Sequence, residues 1–93
     1  MRTIYKYKLT ITDKQVIDMP LTGLLHSIQF QGDELYAWVE VDTEYLKGKR
    51  TFWIVGTGHP LPKVEGHLMF RQTIQTPPFV WHIYEEQGAK EPK

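Results

Sequence analysis

The sequence contains no cysteine and only one serine, Ser27. The absence of cysteine excludes a disulfide framework, a thiolate metal site and a cysteine nucleophile together. Ser27 lies in the middle of an alternating segment, and its neighbours do not form the sharp glycine-flanked turn that exposes a nucleophilic serine. The strong metal ligands that remain are oxygen and imidazole groups.

Long apolar runs are also absent. No segment approaches the roughly 18 to 20 apolar residues that span a bilayer. The N-terminal residues alternate with charges before any signal-peptide core could form. We therefore expect no membrane association and a location in the cytoplasm.

The chain is short and has little excess charge. Its 93 residues, 41% of them hydrophobic, can bury one modest core. We expect a single β domain over residues 1–86 and a disordered polar tail over 87–93. Because the formal net charge is zero, the chain lacks the basic excess that binds duplex nucleic acid, and we expect no such partner.

The sequence pattern predicts an all-β fold. Tyr5, Tyr7 and Leu9 alternate with lysines, which is the period-2 pattern of a half-buried strand. In a later segment Leu24, His26, Ile28 and Phe30 would share one face, which makes His26 a predicted core residue. Turn signals recur often enough to predict a compact antiparallel β-sandwich or small barrel of about seven short strands.

Aromatic residues mark a predicted partner-binding surface. Gly32-Asp33 suits a two-residue hairpin turn leading into the strand from Leu35 to Val41. The outward face of that strand would carry Tyr36 and Trp38 beside two acids, a composition that favours a covered surface over open solvent. A flexible connection over Lys47–Lys49 is expected to lead into the next strand, Thr51 to Val55, which carries Trp53. Tyr36, Trp38 and Trp53 are the predicted partner-binding residues.

The loop after this next strand contains Gly56, Thr57, Gly58 and His59, followed by two prolines. Two glycines this close together permit positive φ and can turn consecutive N–H groups toward an anion, and Thr57 and His59 add side-chain donors. These four residues are the candidate ligand-binding site. The known phosphate loops have other spacings and lead into a helix, which the prolines disfavour. The loop is alternatively a rigid crossover between two sheets, and both interpretations remain open.

Catalytic and metal-binding patterns are weak. None of the four histidines, His26, His59, His67 and His82, lies at a recognised ligand spacing from another histidine or a carboxylate. The paired acids are only neighbours in sequence, Asp33-Glu34 at a turn and Glu85-Glu86 at a strand end, and we expect both pairs to be exposed to solvent. We therefore expect no metal, no cofactor and no enzymatic activity.

Seven segments occur in a fixed order along the chain: Met1–Tyr7, Ile11–Asp13, Met19–Pro20, Leu35–Val39, Arg50–Phe52, Gly56–Pro62 and Phe79–Glu85. Together they resemble a family of small uncharacterised proteins encoded by tailed bacteriophages and prophages. The family brings no agreed activity and no catalytic residues. The resemblance implies a viral accessory protein made in the cytoplasm of an infected bacterium.

This implication favours three functional hypotheses. The first is a non-enzymatic binding protein that inhibits a host process, such as antiviral defence, by binding a host protein directly. The second is an oligomeric sponge that sequesters a small cyclic nucleotide. The third is a minor structural protein of the virion. Exposed strand edges in so small a sheet also predict a homodimer or higher homo-oligomer.

Overall fold

The structure, a computed structural model, describes residues 1–88. This part of the chain forms seven β-strands and no helix, as the alternating patterns predicted. The strands are β1 (Arg2–Leu9), β2 (Lys14–Pro20), β3 (Leu24–Gln31), β4 (Glu34–Asp42), β5 (Lys47–Gly56), β6 (His67–Thr76) and β7 (Phe79–Gln87).

The seven strands form two antiparallel sheets that pack as a sandwich, not as a closed barrel. The first sheet, here called sheet A, has the order β1-β4-β3, and the second, sheet B, has the order β2-β5-β7-β6. The Cα atoms extend 41 × 38 × 15 Å, so the domain is a thin slab with two broad outer faces. Side chains from both sheets fill one core, which includes Leu9, Met19, Ile28, Leu35, Val39, Phe52, Ile54, Ile74 and Ile83.

The hairpin between β3 and β4 turns as the sequence predicted. Gln31 pairs with Glu34, which leaves Gly32 and Asp33 as the two turn residues. Gly32 has φ +63°, a value that side-chain-bearing residues rarely adopt, so glycine is required at the first turn position. Within β4, Leu35, Ala37, Val39 and Val41 are buried, as their alternation predicted.

The prediction of which β3 side chains face the core is wrong for the first half of the strand. The register with β4 shifts between Leu25 and Ser27, so a bulge reverses the alternation there. Leu25 and Ile28 therefore face the core, whereas Leu24 is exposed. The His26 side chain is 44% exposed, and its Nε2 lies 3.0 Å from Glu40 Oε1. His26 is therefore a surface residue and not a core histidine.

Two predicted boundaries also change. Lys47–Lys49, expected as a flexible connection, belongs to β5 and pairs with residues Asp18–Pro20 of β2. Gln87, expected to open the disordered tail, belongs to β7 and pairs with His67. The rest of that predicted tail, residues 89–93, lies outside the described residues.

The segment 57–66 crosses sheet B from one end to the other. β5 and β6 both run antiparallel to β7, which lies between them, so β5 and β6 are parallel to each other. The connection must therefore return along the whole length of the sheet. The segment links two strands of the same sheet, so the expectation that this loop crosses between two sheets is wrong. Among residues 1–88 there is no helix that is long and apolar enough to cross a membrane.

Candidate functional site

A cleft of about 460 Å³ opens at the end of sheet B where β5 stops. β2 begins at Lys14, opposite Trp53, and the last contact beyond it is Ile54 N–H donating to Asp13 C=O at 3.1 Å. The next two residues of β5, Val55 and Gly56, therefore have β7 on one side and the cleft on the other. The lining residues are Asp13, Trp53, Ile54, Val55, Gly56, His59, Pro60, Pro62 and Trp81.

A tight turn places His59 in this cleft. His59 N–H donates to Gly56 C=O at 3.1 Å, and Gly58 has φ +89°, which fits the third position of a type II turn. A Cβ atom at Gly56 would lie 3.3 Å from His59 Nδ1 and 3.4 Å from Trp81 Cζ3. The glycine at 56 therefore lets the imidazole and the indole approach the same stretch of backbone.

Two of the amides that were predicted to bind an anion are used inside the fold. Besides His59 N–H, Thr57 N–H donates to Val80 C=O at 3.3 Å. The Thr57 hydroxyl lies 2.7 Å from His82 Nε2, and the Thr73 hydroxyl lies 3.0 Å from His82 Nδ1. His82 is thus held between two threonines on the outer face of sheet B. The anion site at Gly56–His59 remains a prediction.

A second, smaller cleft of about 340 Å³ adjoins the first. The two clefts share Gly56, His59 and Trp81, and the second adds Thr57, Pro78, Phe79 and Val80. The Trp81 Nε1–H donates to Thr76 Oγ1 at 2.9 Å, which fixes the indole. Phe79 lies on the same face of β7, with its ring centroid 5.7 Å from that of Trp81. We call the two clefts with their shared residues the aromatic cleft.

Sequence reasoning placed Gly56, His59 and Trp53 in functional roles but missed Trp81, Phe79 and Asp13. A signal for two of these existed, because Phe79 and Trp81 are two residues apart at the start of a strand and so share a face. No local pattern links Asp13 to them.

The predicted partner-binding aromatics Tyr36 and Trp38 lie on the outer face of sheet A. Their ring centroids are 6.2 Å apart, and the ammonium group of Lys6 lies 4.3 Å from the Tyr36 ring and 5.6 Å from the Trp38 ring. Beside them, Ile4 of β1 and Leu24 of β3 flank Glu40 across the three strands, and these two side chains are 52% and 60% exposed. We call Ile4, Leu24, Lys6, Tyr36 and Trp38 the sheet A face.

Charged pairs lie at the border of the sheet A face and, at Glu40, between Ile4 and Leu24. Arg2 pairs with Glu40, and Lys8 Nζ donates to Glu34 Oε2 at 2.7 Å. The hydrogen bond from Lys8, and after it the one from the Tyr36 hydroxyl, lowers the pKa of Glu34. In return the Glu34 carboxylate raises the pKa of Lys8 and the pKa of Tyr36. The border is thus a set of matched opposite charges.

Trp53 does not belong to the sheet A face. It lies on the outer face of sheet B, where its Nε1–H donates to Glu86 Oε1 at 2.5 Å and Lys14 Nζ lies 5.3 Å from its ring. The three predicted partner-binding residues therefore occupy opposite sides of the slab. Only Tyr36 and Trp38 can contact one partner surface together.

The four histidines are dispersed across the fold. His26 lies on sheet A, His59 and His82 lie at separate places on sheet B, and His67 opens β6. Within residues 1–88, no three or more His, Asp or Glu side chains are arranged so that they could hold a metal ion together.

The fold and its surfaces define a small seven-stranded β-sandwich with an aromatic cleft at one end and an aromatic face on one sheet. The chain belongs to the family described as domain of unknown function (DUF7352), whose model matches residues 1–93. No curated protein and no solved structure matches the chain.

Proposed function

We propose that this protein is a non-enzymatic binding protein that engages a partner protein through the sheet A face. The observation that carries the proposal is the grouping of two half-buried aromatic rings with two exposed aliphatic side chains, Ile4 and Leu24, on one flat surface. Such a grouping matches the apolar centre of a protein interface, where Trp and Tyr supply much of the binding energy.

The border of the face supports a protein partner over a small ligand. The surface is flat, so it offers little enclosure for a small molecule. The exposed pair of Lys8 with Glu34 lies at its border, as the polar rim of an interface does. Lys6 contacts both aromatic rings and donates to Gln31 Oε1 at 2.7 Å, and it can exchange these exposed contacts for a carboxylate of the partner.

We further propose that the protein is phage-encoded and acts in the cytoplasm of the infected bacterium, where it inhibits a host process such as antiviral defence. This part of the proposal rests on the resemblance of the sequence to phage and prophage proteins. Stoichiometric binding by a compact domain suits such a role because it needs no catalytic machinery.

A small-ligand function is the second candidate, and the aromatic cleft favours it. Its larger part, about 460 Å³, falls within the roughly 300–1,000 Å³ of small-molecule sites. Trp81 and Phe79 offer ring faces on which a nucleobase can stack, and His59 adds a polar group between the two parts of the cleft. A sponge for a cyclic nucleotide would place the base here.

Native mass spectrometry of the tagged protein, isolated gently from bacterial lysate, tests both candidates. A stoichiometric host protein that is lost in Trp38→Ala but kept in His59→Ala supports the proposed function. A bound mass of a few hundred daltons that is lost only in His59→Ala supports the sponge instead. Bare protein from lysate, together with high abundance in purified phage particles, would replace both with a structural role in the virion.

A further inference from the structure

The sandwich has four edge strands: β1 and β3 in sheet A, and β2 and β6 in sheet B. An edge strand presents unpaired backbone N–H and C=O groups and can pair with another strand unless the edge is interrupted or charged. The four edges of this protein differ sharply in this respect.

Bulges interrupt two of the edges. The register of β3 shifts between Leu25 and Ser27, and that of β6 shifts between Phe70 and Gln72. A bulge twists the strand and breaks the regular spacing of its outward backbone groups. Long regular pairing on β3 or β6 is therefore disfavoured.

Like charges protect β1 against a second copy of itself. Because Met1 C=O accepts from Thr43 N–H, the alternate residues Arg2, Ile4, Lys6 and Lys8 turn their backbone groups outward. Every antiparallel register that pairs five or more β1 residues with matching faces places one of these cations opposite another. Centred on Tyr5, for example, the register opposes Arg2 and Lys8. Such directly opposed like charges are destabilising.

β2 has neither a bulge nor a row of like charges, and Pro20 interrupts only its last position. It pairs with β5 from Lys14 to Pro20 without a register shift. Because Ile54 N–H donates to Asp13 C=O, the residues of β2 that turn their backbone groups outward are Lys14, Val16, Asp18 and Pro20, and the first three of these have both an N–H and a C=O to pair. The Val16 side chain is 50% exposed and that of Asp18 is 63% exposed.

We propose that β2 is a self-complementary edge that pairs antiparallel with β2 of a second copy about a two-fold axis at Val16. In this register Lys14 lies opposite Asp18 of the second copy, Asp18 lies opposite its Lys14, and the two Val16 side chains meet. All outward backbone groups of the three residues are then paired. A self-complementary patch is what a closed two-fold dimer requires.

Shifting the register loses these matches. Centred on Ile17, the pairing opposes Lys14 and Pro20, which has no N–H to donate. Centred on Asp18, it opposes two carboxylates. The charges and the proline therefore select the register at Val16, which joins the two copies of sheet B into one continuous sheet of eight strands.

The interface is small, so the dimer is concentration-dependent. Edge pairing over five residues buries less than the roughly 1,200–2,000 Å² of a stable complex. Exposed apolar residues beyond the pairing add to it, because the register carries Leu21 of one copy toward Ile11 of the other. These side chains are 64% and 41% exposed in the single chain.

Charge exchange tests the pairing. We expect the wild type to shift from monomer to dimer in sedimentation velocity as concentration rises toward about 1 mM. Lys14→Asp alone and Asp18→Lys alone should stay monomeric, because each opposes like charges. An equimolar mixture of the two variants should form a heterodimer, and Lys14→Asp/Asp18→Lys should restore the homodimer. A wild type that stays monomeric, or single variants that dimerise as it does, would overturn the proposal.

A cysteine trap locates the contact. Because the chain has no cysteine, Val16→Cys introduces a unique thiol. Across a hydrogen-bonded antiparallel pair the two Cα atoms are about 5.5 Å apart, within reach of a disulfide. We expect oxidised glutathione to give a disulfide-linked dimer of Val16→Cys. Ile4→Cys, at a site of matching exposure on β1, should give little; equal cross-linking of both variants would count against a specific β2 contact.

Discussion

Arg50 and Glu85 form a two-point ion pair on the inner side of sheet B, with Nε 2.6 Å from Oε2 and Nη2 3.0 Å from Oε1. Their side chains are 8% and 3% exposed, so the expectation that Glu85 is exposed at a strand end is wrong. Arg71 places its Nη2 2.8 Å from the same Oε1, and Arg50 Nη1 donates to Gly23 C=O at 2.8 Å. One buried carboxylate thus holds two guanidinium groups and, through Arg50, the connection between the sheets.

Replacing this carboxylate should destabilise the fold strongly. Glu85→Gln keeps the size of the side chain but leaves two guanidinium groups without a counter-charge. Because removing one partner of a buried ion pair costs about 3–5 kcal/mol, we expect a loss of that order in the free energy of unfolding, measured by urea denaturation. Glu34→Gln, which breaks the exposed pair with Lys8, is the matched control and should cost far less. Equal losses would mean that burial adds nothing to the pair at Glu85.

Tyr7→Phe should stabilise the protein. The Tyr7 hydroxyl is buried and has no hydrogen-bond partner among residues 1–88. Because an unsatisfied buried hydroxyl is costly, its removal should raise the free energy of unfolding by about 1 kcal/mol. Tyr5→Phe, at a side chain that is 46% exposed, should change it little. A clear loss of stability in Tyr7→Phe would show that the hydroxyl has a partner in solution.

The ionisation of Tyr7 should make the stability of the fold depend on pH in the alkaline range. Burial raises the pKa of Tyr7 above its ordinary value of 10.0. The stability that its neutral form supports is therefore complete below pH 10 and is lost as the pH rises through the raised pKa. Thermal unfolding of wild type and Tyr7→Phe between pH 8 and about pH 11.5 should show the steeper loss in the wild type. Parallel curves would contradict this assignment.

The pKa of Glu34 should depend on Lys8. The hydrogen bond from Lys8 is the largest cause of its lowered pKa, so Lys8→Met should raise that pKa toward the ordinary value, and Tyr36→Phe should raise it less. A lowered pKa means stability that is present above the ordinary pKa and lost as the pH falls through the lowered one. NMR titration of the carboxyl carbon measures the shift. An unchanged value in Lys8→Met would mean that the pair does not persist in solution.

Trp38 should be an energetic centre of partner binding. If the sheet A face is the interface, Trp38→Ala should weaken the complex by about 2 kcal/mol or more, roughly a 30-fold rise in Kd by calorimetry. Phe79→Ala changes an exposed aromatic residue of sheet B and should leave the affinity unchanged. The reverse result would move the interface to the aromatic cleft.

Much of the fold could be predicted from local pattern. Alternation identified β1 and β4, and Gly32 marked the β3–β4 hairpin, because each depends on neighbours within a few residues. The polar start of β5 could not be recognised, since Lys47–Lys49 is extended only because β2 supplies its hydrogen bonds. The bulge at His26 was equally invisible, because a register shift arises between strands.

The candidate site was only partly predictable for the same reason. Gly56, Gly58 and His59 stand out in the sequence, and the turn they form is local. The cleft exists only because Asp13, Trp53 and Trp81 come from three separate parts of the chain. The separation of Trp53 from Tyr36 and Trp38 follows from the assignment of β4 and β5 to different sheets.

The sequence by itself determined the all-β class, most strand positions and the apolar face of most strands, because side-chain alternation is a property of the extended backbone. Only the tertiary structure decided which strands share a sheet, where the edges lie and which side chains meet at Glu85 and in the aromatic cleft. Those outcomes depend on hydrogen bonds and packing between residues far apart in the chain, such as the pairing of Arg2 with Asp42. No periodicity within one strand encodes them.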